Sequence, residues 1–322
     1  MFNGRTVVEQ DQEHQAATRS VNRADAFVGA AHRMSGVRRA NIENDAGKEI
    51  LMPFTTAIDG TELHYEVEGD GFPLVFSHGN MGFGRQFALQ TRILSRSYRC
   101  ILHDLRGCGL SGKPEAEIYD TSIHSSDLHT ILQAVGVHRA VHVGHSFGGP
   151  ISMQYYFDYP GEVVGLVLIG SYSAGTQLTI TEEQVLELYK TLGGRRSVFE
   201  HFITHEKFEK YNPYGIEITA MLQTEACKPP IYASNAICRG FFRLNFTERL
   251  ATIQAPALIV HGDTDMPIPV ATSGQVLVEK IPDSKLVLVP DAGHFPHMEK
   301  PELVNEAICS WLEDKISSSR DA

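Results

Sequence analysis

The chain has 322 residues, of which 42% are apolar and 21% charged, a balance that permits a buried core and excludes wholesale disorder. Its formal net charge of -11 argues against nucleic-acid partners, whose phosphates would be repelled, and favours a small neutral or apolar ligand. The five cysteines, Cys100, Cys108, Cys227, Cys238 and Cys309, are scattered, odd in number and without CxxC spacing, which fits a reduced, cytoplasmic setting.

Residues 1–50 are polar and mix acids such as Glu9 and Asp11 with bases such as Arg19 and Arg23. They hold no apolar run long enough for a signal peptide or a membrane anchor. We read them as an extension outside the core, helical in part around 24–34. Two β-like runs, 54–58 and 63–67, flank Asp59-Gly60, a turn dipeptide that predicts a hairpin. From Pro73 onward, short apolar runs at 74–77, 100–103, 140–143, 164–169, 257–260 and 286–289 alternate with helical stretches. That alternation marks a mostly parallel sheet covered on both faces. Leu128, Ile131, Leu132 and Val135 form one amphipathic stripe, and Asp120, Thr121 and Ser122 offer an N-cap before it. Roughly 80 residues then separate Ile169 from the next strand, far more than a crossover needs. Their helical stretches at 182–192 and 198–208, rich in Phe and Tyr, predict an inserted helical cap. The expected layout is an extension (1–50), a first core segment (51–172), a cap (173–252) and a second core segment (253–322).

The segment carrying the chemistry is Val141-His142-Val143-Gly144-His145-Ser146-Phe147-Gly148-Gly149. A β-branched run passes directly into G-x-S-x-G and then into a helical stretch. A nucleophile elbow has this arrangement, because a serine on a sharp strand-to-helix turn needs glycines where side chains would meet neighbouring backbone. Gly107, Gly109 and Gly112 also spell G-x-G-x-x-G. Lys113-Pro114 follows it instead of a helix, so a dinucleotide site is not expected.

Four further segments stand in chain order around the elbow: Ser77-His78-Gly79-Asn80 and Asp104-Leu105-Arg106-Gly107-Cys108-Gly109-Leu110-Ser111 upstream, then Gly262-Asp263-Thr264-Asp265 and Ala292-Gly293-His294-Phe295-Pro296 downstream. Together they resemble the α/β-hydrolase superfamily over about residues 54–314. The resemblance implies a doubly wound, mostly parallel sheet with a helical cap, and a Ser, Asp, His order of catalytic residues. It makes Ser146 the nucleophile and His294 the base. It makes Asp265 the orienting acid, favoured over Asp263 because the fourth position of G-x-x-D has left the strand. The oxyanion donors would be the backbone N–H of Phe147 and that of Asn80 or Met81. His78, His145 and His297 are read as holding loops. No clustered ligand spacing recommends a metal, and no cofactor is implied.

A serine nucleophile argues against dehalogenases and epoxide hydrolases of this superfamily, whose alkyl-ester intermediates form on aspartate. A largely hydrophobic, medium-sized ester or lactone is the expected small-molecule substrate, cleaved through an acyl-Ser146 intermediate. Carbon-carbon hydrolases and perhydrolases or haloperoxidases would use the same residues, and a ligand receptor on a hydrolase scaffold is the reading from another class. Oligomeric state is not legible.

Overall fold

A computed structural model describes residues 38–43, 49–202 and 215–316. The helix expected around 24–34 and residues 203–208 of the second expected cap helix lie outside them. Among the described residues nine strands form one sheet: β1 Arg38–Glu43, β2 Glu49–Thr56, β3 Glu62–Glu68, β4 Phe72–Ser77, β5 Tyr98–His103, β6 Ala140–His145, β7 Val163–Ile169, β8 Ala257–Gly262 and β9 Ser284–Val289. Their order is β1-β2-β3-β5-β4-β6-β7-β8-β9. The pairs from β1 to β3, and β3 with β5, are antiparallel, and the remaining six strands run parallel. Central strands such as β6 and β8 are buried along their whole length, which is why they read as continuous apolar runs rather than alternating ones.

The hairpin at Asp59-Gly60 joins β2 to β3, with Gly60 at φ +88° donating to Ala57. The extension, however, ends earlier than residue 50: Arg38–Glu43 pairs with β2 and extends the sheet edge. Its sequence, Arg-Arg-Ala-Asn-Ile-Glu, lacks alternation. An edge strand is held by backbone hydrogen bonds to one neighbour and can form without an apolar stripe.

Helices cover both faces. On one lie α2 (Thr121–Ala134) and α3 (Gly148–Asp158), and on the other α1 (Ala88–Leu94) and α10 (Pro301–Ile316). Helix α2 starts where the Asp120 carboxylate accepts the Ser122 and Ile123 amides, and it buries Leu128, Ile131 and Leu132 against the sheet. Trp311, Leu312 and Ile308 of α10 fill the opposite layer with Val143 and Val260.

Between β7 and β8 the described residues hold four helices: α4 Glu182–Tyr189, α5 Leu192–Phe202, α6 Gly215–Cys227 and α7 Ile231–Arg243. Thr181 and Gln184 close a capping box on α4. α7 turns Ala233, Ile237 and Phe241 inward. After β8 come α8 (Gly274–Lys280), β9 and the short α9 (Pro296–Glu299). No helix among the described residues is long and apolar enough to cross a membrane. The parallel strands all end on one side, at Ser77, His103, His145, Ile169, Gly262 and Val289, where open α/β sheets present their ligand crevice.

Candidate active site

Ser146 follows β6 and precedes α3, with φ at +51°, a left-handed conformation that an L-residue adopts only under constraint. The constraint is close packing. A Cβ on Gly144 would lie 2.4 Å from the Gly148 carbonyl oxygen, and one on Gly148 would lie 1.9 Å from that of Ser77. Both positions admit only glycine, and the serine hydroxyl is thereby held above the sheet.

His294 arrives in the turn after β9. Its Nε2 lies 3.0 Å from Ser146 Oγ and its Nδ1 lies 2.9 Å from Asp265 Oδ2. An ionised carboxylate only accepts, so Nδ1 carries the proton and Nε2 is left to receive that of the serine. Asp265 is 5% exposed. Its other oxygen accepts the Ile268 amide at 3.0 Å. Burial pushes the carboxyl up, but the neighbouring His294 and hydrogen bonds from His261 and His294 outweigh it, and the pKa falls to about 2. Asp263 is exposed and stands apart from the histidine. Of the two sequence candidates, Asp265 is the one brought to His294.

The flanking histidines hold loops. His145 Nε2 donates to the His294 carbonyl at 2.9 Å, and its Nδ1 faces Gln86 Nε2 at 3.1 Å. Burial, then the neighbouring His297 and His294, lower this imidazole well below the usual range, so it stays neutral. His78 accepts the Leu105 amide on Nε2 at 3.0 Å and donates to the Gly79 carbonyl from Nδ1. His297 is buried between Phe87 and His145. The glycine-rich loop at 107–112 folds back on Asp104, whose carboxylate accepts the Gly84 and Leu110 amides and pairs with His64. The next helix begins only at Thr121 and does not open directly from that loop, as a pyrophosphate site would require.

Phe147 is the N-cap of α3, placing its amide at the positive end of that helix. Of the upstream pair, Met81 is buried with φ at +55°. The Asn80 side-chain amide donates to the Tyr189 hydroxyl of α4. Met81, Phe147, Tyr172, Leu178, Phe241 and Ile268 enclose an apolar space of about 40 Å³ beside Ser146 and His294.

Two contributors were not anticipated. His261 approaches Asp265 Oδ2 at 3.3 Å while donating to the Ile268 carbonyl at 2.8 Å. Glu299 accepts both amides flanking His294. A histidine inside an apolar strand and a glutamate at the end of a short helix carry no local signal of such roles.

The model of the alpha/beta hydrolase family matches residues 74–307. This chain belongs to the alpha/beta hydrolase family. The hydrolase is 30% identical over 274 residues to a non-heme haloperoxidase of Rhodococcus erythropolis, covering 81% of this chain and all of the relative. It is 32% identical to lipase 3 of a Moraxella species over 76% of this chain and 79% of that one. Among solved structures, a thermophilic esterase from Thermogutta terrifontis superposes with a TM-score of 0.72 at 25% identity, over 86% of the hydrolase and 98% of the esterase. An enzyme described as degrading N-acyl homoserine lactones superposes at 0.71 with 30% identity, over 80% and 100%.

Proposed function

We propose that this hydrolase cleaves a largely hydrophobic carboxylic ester or lactone through an acyl-serine intermediate on Ser146. The observation that carries the reading is the unbroken chain from Asp265 through His294 to Ser146, at 2.9 and 3.0 Å. A serine hydroxyl is a weak nucleophile unless a base takes its proton during attack. In the proposed cycle His294 Nε2 takes that proton as Oγ bonds to the carbonyl carbon, and Asp265 stabilises the imidazolium. The oxyanion is met by the amides of Phe147 and Asn80. Met81 is the alternative upstream donor. Collapse expels the alkoxide, which takes the proton from His294. Water, activated by the same base, then releases the acid and restores Ser146.

We assign residues 173–252 as the cap, since Tyr189 of α4 and Phe241 of α7 reach the loops around Ser146. The enclosed space suits a short acyl group. The esterase and lipase relatives support ester hydrolysis, and the lactone-degrading neighbour keeps lactones within the proposed scope. Five free thiols support a cytoplasmic setting.

The deciding experiment offers p-nitrophenyl esters of increasing acyl length and a panel of lactones, with mass spectrometry of enzyme quenched during turnover. The expected result is highest kcat/KM on short acyl chains and an acyl adduct on the peptide containing Ser146. Turnover with no adduct, persisting in Ser146→Ala, would overturn the assignment.

A further inference from the structure

The turn that presents His294 is tied down at three consecutive residues. The Gly293 and Phe295 amides, one on each side of the histidine, donate to Glu299 Oε2 and Oε1 at 2.8 and 3.0 Å. The His294 carbonyl accepts from His145 at 2.9 Å. A third strap lies further on, where Gln90 of α1 donates to the His297 carbonyl at 2.7 Å. Glu299 itself is 3% exposed, at the last position of α9.

From this geometry we propose that Glu299 is a positioning residue for His294: its carboxylate spans the amides on either side of the histidine and fixes the turn so that the imidazole stays between Asp265 and Ser146. The inference rests on the hydrolytic role of His294 proposed above. A carboxylate is suited to the task because both its oxygens accept, whereas a carboxamide offers one acceptor and one donor. Gln at this position would set an NH2 against one of the two amides and leave that buried N–H unpaired.

Stability alone does not favour a carboxylate here. Burial pushes the Glu299 carboxyl above its ordinary range, further than the two amides and the nearby His294 pull it down, and Asp265 adds to the rise. With the folded pKa raised, the ionised group lowers stability at neutral pH, and protonation relieves that penalty as pH falls. A neutral side chain relieves that burial penalty, which offsets the unpaired N–H in the fold, but it cannot hold both amides of the turn.

The test uses the full chain and compares Glu299→Gln with the exposed control Glu302→Gln. Three quantities are read: kcat and KM on p-nitrophenyl butyrate, Tm, and the downfield proton resonance of His294 Nδ1–H, assigned by its loss in Asp265→Asn. For Glu299→Gln the expected result is a kcat lower by about 10- to 100-fold, KM little changed, Tm little changed, and a resonance that is shifted or broadened. Glu302→Gln should match the parent protein. An unaltered resonance with unaltered kcat overturns the proposal, and so does a kcat loss that follows a comparable fall in Tm. Should Glu299→Gln not fold, Glu299→Asp takes its place under the same criteria, because its shorter carboxylate reaches one amide at a time. The resonance is read without substrate, so absence of ester turnover in the parent protein would count against the proposed function and leave the positioning role to be judged by the spectrum.

Discussion

Asp263 and Asp265 differ by two positions in one turn, yet only Asp265 is buried against His294, at 2.9 Å. Removing that carboxylate frees the imidazole to take the wrong tautomer, which in serine proteases lowers turnover by about 10⁴. Asp265→Asn should therefore lose several orders of magnitude in kcat on p-nitrophenyl butyrate, while Asp263→Asn stays close to the parent; circular dichroism of both verifies folding. The same carboxyl makes a pH prediction. Its folded pKa of about 2 lies below the ordinary carboxylate value, so its contribution to stability is present above about pH 4 and is lost as pH falls through 2. A shift of this size corresponds to on the order of 2 kcal/mol. Urea midpoints measured from pH 6 down to the acid limit should fall less steeply below pH 4 in Asp265→Asn than in the parent.

At the scale of the elements, the strand-turn-helix unit of β6, Ser146 and α3 works because its glycines let three backbone segments meet. The Gly148 position is the tightest, since an added Cβ would sit 1.9 Å from backbone that cannot swing away. Gly148→Ala should thus destabilise by several kcal/mol, as overpacking against main chain does. Thermal unfolding and soluble yield measure it, and a variant with parental Tm and activity would show that the turn can relax. The four described helices between β7 and β8 obey a different logic. A capping box starts α4, but the Asn80–Tyr189 hydrogen bond and the wall formed by Phe241 depend on where these helices dock.

For the molecule as a whole, the antiparallel edge sets what can be removed. β1 pairs with β2 over Arg38–Phe54 to Glu43–Glu49, and β2 pairs with β3 from Phe54 onward. Starting the chain at residue 37 keeps every described strand. Starting it at Phe54 removes β1 and most of β2 and uncovers an edge. The first truncation should match the full chain in Tm and kcat/KM, and the second should lose Tm or aggregate; identical behaviour of the two would mean that the edge pair adds nothing to the fold.

The sheet and the elbow were legible because each rests on local chemistry: continuous apolar runs for buried strands and glycines around a sharp turn; the order of Ser146, Asp265 and His294 came from the resemblance to the α/β-hydrolase superfamily. The same locality explains what was not legible. Arg38–Glu43 carries no pattern because it is held by backbone pairing to a neighbour. His261 and Glu299 look unremarkable in sequence. Their roles arise from contacts across loops that meet only when β8 and β9 are aligned side by side. Residue type fixes what chemistry a group can perform, and packing fixes which partner is within hydrogen-bond reach.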